Sequence, residues 1–277
     1  IINSHSSVPG LSLRMLRIFS SKKFKLIHTV HGWPWRGKRI LIKFFLIFLE
    51  KCLKDCADVN VIVSSSTYIE GKTTLGNFKR YQVIENPAVV YENAQRVGNV
   101  LPKGGDNFNI LMIARVDPSK DHEAMLRSFN ELDAECVLNL VGRGTNDFNF
   151  KSFAGGILSA SKLKRVNFFG ELDSVAQLYE DCDLVVLLSK FESLPLVVLE
   201  AIRMGKPVVV SNVGGNSDIV ESGLNGYVVP TNATGEIVKA IDKVRTGDLT
   251  KLGHLPEKYT YISYEKKILE LYAMVLS

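Results

Sequence analysis

From Phe108 onward the chain alternates two kinds of apolar pattern. Short continuous runs, FNILMIA, CVLNLV, VNFF, DLVVLL, PVVV and GYVV, end in Gly or Ser punctuation. Between them, at residues 122–132, 175–181, 196–204 and 235–244, apolar residues recur at helical spacing. A continuous apolar run is a strand covered on both faces, and such strands alternating with helices build a parallel sheet with helices on either side. The pattern predicts a full doubly wound α/β domain over residues 108–260. Residues 1–92 repeat it more briefly, with strand patterns at Ile1-Ile2, KLIHTV, VNVIV and QVIE and one long helix over 38–55. Four strands and a helix predict an incomplete second Rossmann-like domain. Residues 93–107, with Gly98, Pro102, Gly104 and Gly105, read as the linker, and residues 261–277 as a C-terminal helix packing back across the junction.

The most apolar run, ILIKFFLIFL at residues 40–49, is broken by Lys43 and falls short of the roughly 20 residues of a bilayer-spanning helix. It predicts a buried or interfacial helix. With 277 residues, 46% of them hydrophobic, the composition is globular and excludes disorder. The net charge of +5 suits phosphate-bearing ligands or an anionic membrane face and falls short of a nucleic-acid signature. Cys52, Cys56, Cys136 and Cys182 form no CxxC pair, which points to reduced thiols in a cytoplasmic protein. The chain opens on Ile1-Ile2-Asn3 without methionine or signal-peptide features, so an upstream segment is expected. Trp33 and Trp35, beside Arg36, Lys38 and Arg39, fit either a packed loop or a peripheral patch at the inner face of the membrane; the second reading is favoured slightly.

Ligands of open α/β sheets sit at the carboxyl ends of the strands. After FNILMIA come Arg115 and Lys120, with Asp117 read as an N-cap and Pro118 as the first helical residue. Two cations at a helix start suit a pyrophosphate, although a solvated surface pair fits equally well. Gly142 and Gly144 let the chain turn after CVLNLV, a weak signal by itself. Glu192 falls in the loop after DLVVLLS, and Glu200 lies eight residues on, inside a helix among Val197, Val198, Leu199, Ala201 and Ile202. A carboxylate accepts two hydrogen bonds at once and so suits a vicinal diol, and one set among apolar residues is costly without a partner. Two such acids could hold a ribose and a hexose. Asp181-Cys182-Asp183 spells a metal-type D-x-D but reads as a helix end and strand entry; His28, His122 and His254 lack metal spacing.

The stretch from Arg115 to Pro230 resembles the retaining glycosyltransferases of GT-B architecture, the family called glycosyl transferases group 1. The features are ARVDPSKD, LVGRGT, VNFFGEL, LLSKFESLPLVVLEAIRMGKPVVVSNVGG and LNGYVVP, in that order. The resemblance implies that Glu192 meets the donor sugar and Glu200 the ribose. It further implies that Arg115 and Lys120 neutralise the diphosphate, approached by the backbone at Ser193 and Leu194. Gly142 would lie against the nucleotide, and residues 168–171, with Phe169, would edge the base. Earlier in the chain, NSHSSVPGLSLRML is similar to the region carrying a catalytic histidine, here His5, and HTVHGWPW to a T-x-H-G strand end. Ser193 and Asp218 depart from the glycine and glutamate usual at these places.

The fold expected is therefore α/β, two Rossmann-like domains of GT-B architecture, the first incomplete. The function expected is transfer of a sugar from a nucleotide-diphosphate sugar to a glycan or lipid-linked acceptor in cell-surface polysaccharide synthesis. Neither a cofactor nor an obligatory metal is expected, and no nucleic-acid partner. Two rivals stay open, a nucleotide-sugar epimerase of the same architecture and a non-catalytic nucleotide-binding fragment. If an upstream segment is missing, this chain should bind nucleotide yet transfer sugar slowly or not at all.

Overall fold

The computed structural model describes residues 1–20, 24–89, 101, 107–250 and 252–277. The chain divides into two bodies, one of residues 1–88, 192–195 and 256–277, the other of residues 89–191 and 196–255. The linker expected at 93–107 lies almost wholly outside the described residues.

The first body is built on a parallel sheet of order β1-β2-β3-β4, comprising β1 (Ile2–His5), β2 (Leu26–Val30), β3 (Val59–Ile62) and β4 (Tyr81–Val83). Every residue of β2 and β3 is buried, as their continuous apolar sequence demands. Around the sheet lie α1 (Ser7–Phe19), α2 (Ile40–Leu53), α3 (Ser65–Leu75) and, from the end of the chain, α11 (Tyr261–Leu276). Leu271 and Val275 of α11 close a core with Ile27, Val59, Val61 and Ile84. α1 and α2 are joined by a buried ion pair in which the Arg14 guanidinium donates to both Glu50 oxygens at 2.7 and 2.9 Å. The outward side of α2 exposes Leu41, Phe44, Phe45 and Phe48. Among the described residues no helix is long and apolar enough to cross a membrane.

The structure corrects the slight preference for a membrane patch at Trp33 and Trp35, which are 5% and 4% exposed. Their rings stack at 4.8 Å and pack with Phe78 and Leu75, and Trp33 Nε1 donates to Thr67 O at 2.8 Å. α3 receives them because Gly71 leaves room; a Cβ there would stand 2.2 Å from Trp33 Cζ2.

The second body carries a six-stranded parallel sheet of order β10-β9-β8-β5-β6-β7. Its strands are β5 (Phe108–Ile113), β6 (Cys136–Val141), β7 (Val166–Gly170), β8 (Leu184–Leu187), β9 (Val208–Ser211) and β10 (Gly226–Val229). From β5 the chain steps outward to β6 and β7, then returns to the other side of β5 for β8, so the order reverses between β5 and β8. Right-handed crossovers therefore put the helices that connect successive strands of the two halves on opposite faces, and α10, which follows the last strand, returns to the first. On one face α4 (His122–Glu131), α5 (Phe148–Ile157) and α10 (Thr234–Arg245) share a core with β5 and β6, where Phe129, Phe150 and Ile241 meet Ile110, Met112 and Leu138. The other face takes α8 (Leu196–Arg203). α7 (Ala176–Asp181) ends at Asp181 and β8 begins at Leu184, which makes Asp181-Cys182-Asp183 the junction of helix and strand.

Candidate functional site

In the second body the expected donor residues follow the carboxyl ends of adjacent strands. Arg115 stands two residues past β5, more than half exposed, with Nε 3.8 Å from Asp117. The helix does not begin here. Asp117 instead closes a turn, its Oδ1 accepting from Ser119 N at 2.8 Å and its carbonyl from Lys120 N at 2.9 Å, while α4 starts at His122 after Asp121. The reason is local, because an Asp side chain bonded two residues on forms an Asx turn and competes with a helical start. The Ser119 hydroxyl and then its N–H hold the Asp117 carboxyl below the usual carboxylate range. Arg115 and Lys120 are thus presented on a rigid turn, and Lys190 N donates to Ser119 O at 2.7 Å, tying that turn to the end of β8.

Gly142 directly follows β6 with φ of 130°, and a Cβ on it would stand 2.5 Å from Ala114 O and 2.9 Å from Arg115 N. Only glycine lets this strand end lie against the backbone that carries Arg115. Gly142 N donates to Gly170 O at 2.7 Å, and Gly170 N to the buried Thr145 hydroxyl at 2.9 Å. The ends of β5, β6 and β7 are laced together by these contacts, and Phe169, half-buried, is the next-to-last residue of β7.

Glu200 sits one turn into α8, only 8% exposed, between Leu199 and Ala201, which are fully buried. Its Oε2 accepts from the Tyr179 hydroxyl at 2.9 Å. Tyr179 belongs to α7, itself buried, and sequence reasoning missed it; in QLYED it reads as one more apolar residue of a helix.

The remaining expected residues fall in the first body. His5, at the end of β1, is exposed, and its Nδ1 lies 2.9 Å from Nε2 of His31 with the rings stacked. One of these nitrogens donates and the other accepts. Burial, then the neighbouring His5, lowers the His31 pKa. His31 lies within HTVHGWPW, where no local pattern marks it as a partner of His5. Residues 192–195 are grouped with this body. The Arg36 guanidinium, paired with Glu70, donates to Glu192 O at 2.7 Å and to Ser193 Oγ at 2.8 Å. A Cβ on Gly32 would stand 2.8 Å from Ser193 Oγ, which gives the glycine of T-x-H-G a steric reason. Leu194 is buried. Arg36 is a further residue the sequence reading did not assign to the site.

Comparison with known proteins bears on the family and the fold. The family model described as glycosyl transferases group 1 matches residues 95–266, more than half of the chain. The UDP-Gal:alpha-D-GlcNAc-diphosphoundecaprenol alpha-1,3-galactosyltransferase of Escherichia coli is 24% identical over 262 residues, covering 88% of this chain and 66% of that protein. This chain thus spans about two thirds of that curated relative. Among solved structures, sucrose-phosphate synthase from Thermosynechococcus elongatus superposes with a TM-score of 0.84 at 20% identity, covering 99% of this chain and 73% of that one. HepE of Anabaena in complex with UDP-glucose gives 0.81 at 17% identity, covering 98% and 78%. Two parallel Rossmann-like sheets, the ordered motifs and the family match together place this chain in the glycosyl transferases group 1 family, with GT-B architecture.

Proposed function

We propose that the protein transfers a hexose from a nucleotide-diphosphate sugar to a glycan or lipid-linked acceptor, with retention at the anomeric carbon, in cell-surface polysaccharide synthesis. The observation that carries the reading is Glu200, a carboxylate buried among apolar side chains, with one oxygen held by Tyr179, beside the reversal of strand order. A carboxylate at that depth is costly unless further donors reach it, and a ribose diol supplies them. Arg115 and Lys120, on the turn past β5, supply the positive charge a leaving diphosphate needs as its bond to the sugar breaks. His5 and Glu192 are assigned to the reacting sugar. The relative named for UDP-Gal and a diphosphoundecaprenol acceptor, and the neighbour bound to UDP-glucose, favour a UDP-hexose donor and a lipid-linked acceptor.

Calorimetric titration of the chain with UDP, GDP and ADP tests the reading. UDP is expected to bind, Glu200→Gln to weaken it about tenfold, the loss of one charge-assisted hydrogen bond, and Glu192→Gln to leave UDP affinity in place while lowering turnover. Equal losses of affinity in both variants would overturn the assignment of the two acids.

A further inference from the structure

A cavity of about 740 Å³ opens between the β5–α4 loop, the first turn of α4, the β6–α5 loop and α5. That volume is typical of small-molecule sites. Of the residues assigned to the nucleotide sugar, only Arg115 borders it; Lys120, Gly142, Phe169 and Glu200 do not. α4 and α5 also lie on the sheet face opposite α8, which carries Glu200.

The lining includes two buried polar residues, Asp121 and His122. Asp121 is buried, with its Oδ1 3.6 Å from Lys190 Nζ and its Oδ2 accepting no hydrogen bond. Leaving such an oxygen unsatisfied costs about 1–3 kcal/mol. Beside it His122, also buried, makes no hydrogen bond of full geometry at either ring nitrogen and packs edge-on against Phe150. Burial, opposed only in part by a loose contact with the Ala114 backbone, brings its pKa down to about 4. Three cations line the cavity, Arg115, Arg143 and Lys190, against four carboxylates, Asp117, Asp121, Glu123 and Asp147, a balance that disfavours an anion. Phe150 and the half-exposed Phe153 add an apolar wall. Carboxylate acceptors, guanidinium donors and an aromatic face together match a ring that bears hydroxyls at its edge and C–H groups on its face.

We propose that this cavity is a second binding site, for a neutral hydroxyl-rich ring: a hexose, free or as a unit of a glycan. Saturation-transfer NMR on the 277-residue chain tests it, with glucose, galactose and N-acetylglucosamine in one arm, a neutral oligosaccharide in another and inorganic phosphate as the anionic control. Each is run with and without saturating UDP. Transfer to the neutral sugars is expected to persist under UDP and to fall at least about fivefold, more than half of one hydrogen bond's worth, in Asp121→Asn. Asparagine keeps the shape and tolerates the left-handed backbone of residue 121, whose φ is 51°. Phe153→Ala, at an exposed position, is expected to do the same and covers the case in which Asp121→Asn does not fold. UDP affinity, titrated separately, should stay within about twofold of the parent in both variants. Stronger transfer to the oligosaccharide assigns the site to a glycan chain, and stronger transfer to the monosaccharides to a free sugar. The proposal is overturned by no transfer to any neutral sugar, by displacement with UDP, by phosphate binding in their place, or by transfer unchanged in both variants.

Discussion

At the scale of single residues, glycines and buried titratable groups set what the site can tolerate. Gly142 combines a left-handed backbone with a Cα facing Ala114 O. Gly142→Ala is expected to cost about 2–4 kcal/mol through strain and displacement of the Arg115 backbone. A fall of at least about 5 °C in the calorimetric melting temperature, with weaker UDP binding, checks this. A different residue governs the acid side of the first body. Burial, then the charge of Arg14, brings the His28 imidazole down to about 3, and Gly10 leans directly on its ring. The unfolded chain takes up this proton below about pH 6.5, whereas the native state refuses it until about 3. Stability is therefore whole above pH 6.5 and is lost as pH falls through that window, by up to about 1.4 kcal/mol per pH unit. Both tryptophans lie in this body, so urea unfolding followed by their fluorescence reads it. Between pH 7 and 4.5 the advantage of the parent over His28→Asn should shrink by about 2–3 kcal/mol, because asparagine has no proton to gain. A constant difference would show that the buried ring is not the group that titrates.

At the scale of elements, α1 and α2 are held by the buried Arg14–Glu50 pair, with Arg14 Nε also donating to Gly10 O at 3.0 Å. Removing one partner strands the other, so Arg14→Met alone should cost about 3–5 kcal/mol. The double variant Arg14→Met with Glu50→Leu should recover most of that in the same urea experiment, since two apolar residues leave no uncompensated charge. Failure of the second change to restore stability would mean that the pair contributes through packing. The elements differ in how far they can be read from sequence. Among the described residues β2, β3 and the six strands of the second body lie where the apolar runs put them, because a strand covered on both faces has no polar side to hide; β1, INSH, shares only Ile2 with the apolar pair Ile1-Ile2, since it is a largely exposed edge strand. α3 left no such trace: SSTYIEGKTTL is rich in Ser, Thr and Gly, and its buried positions Thr67 and Gly71 are chosen for closeness to the tryptophans rather than for apolarity. α1, with Pro9 and Gly10 in its opening turns, and α5, with Gly155 and Gly156, hide in the same way. The helical spacing of residues 122–132 marks α4 correctly, whereas the cap expected at Asp117 and Pro118 is a turn, because a side chain bonded within its own turn looks the same in sequence.

At the scale of the whole molecule, two parallel sheets carry the assigned residues in two bodies, with His5 and residues 192–195 in the first and Arg115, Lys120, Gly142, Phe169 and Glu200 in the second. The spacing of Glu192 and Glu200 made the two acids legible. Their supports were not: Tyr179 is 21 positions from Glu200, His31 is 26 from His5, and Arg36 is 157 from Ser193, so each pairing exists only once the sheets form. In the proposed function the second body holds a nucleotide diphosphate through Arg115, Lys120 and Glu200. The measurement closest to it is calorimetric titration of UDP into the parent chain and into Glu200→Gln, with the fold of each checked by circular dichroism. The account predicts saturable binding to the parent and about tenfold weaker binding to the folded variant; no binding of UDP, GDP or ADP by the parent at millimolar concentration, or equal affinity in both proteins, would contradict it.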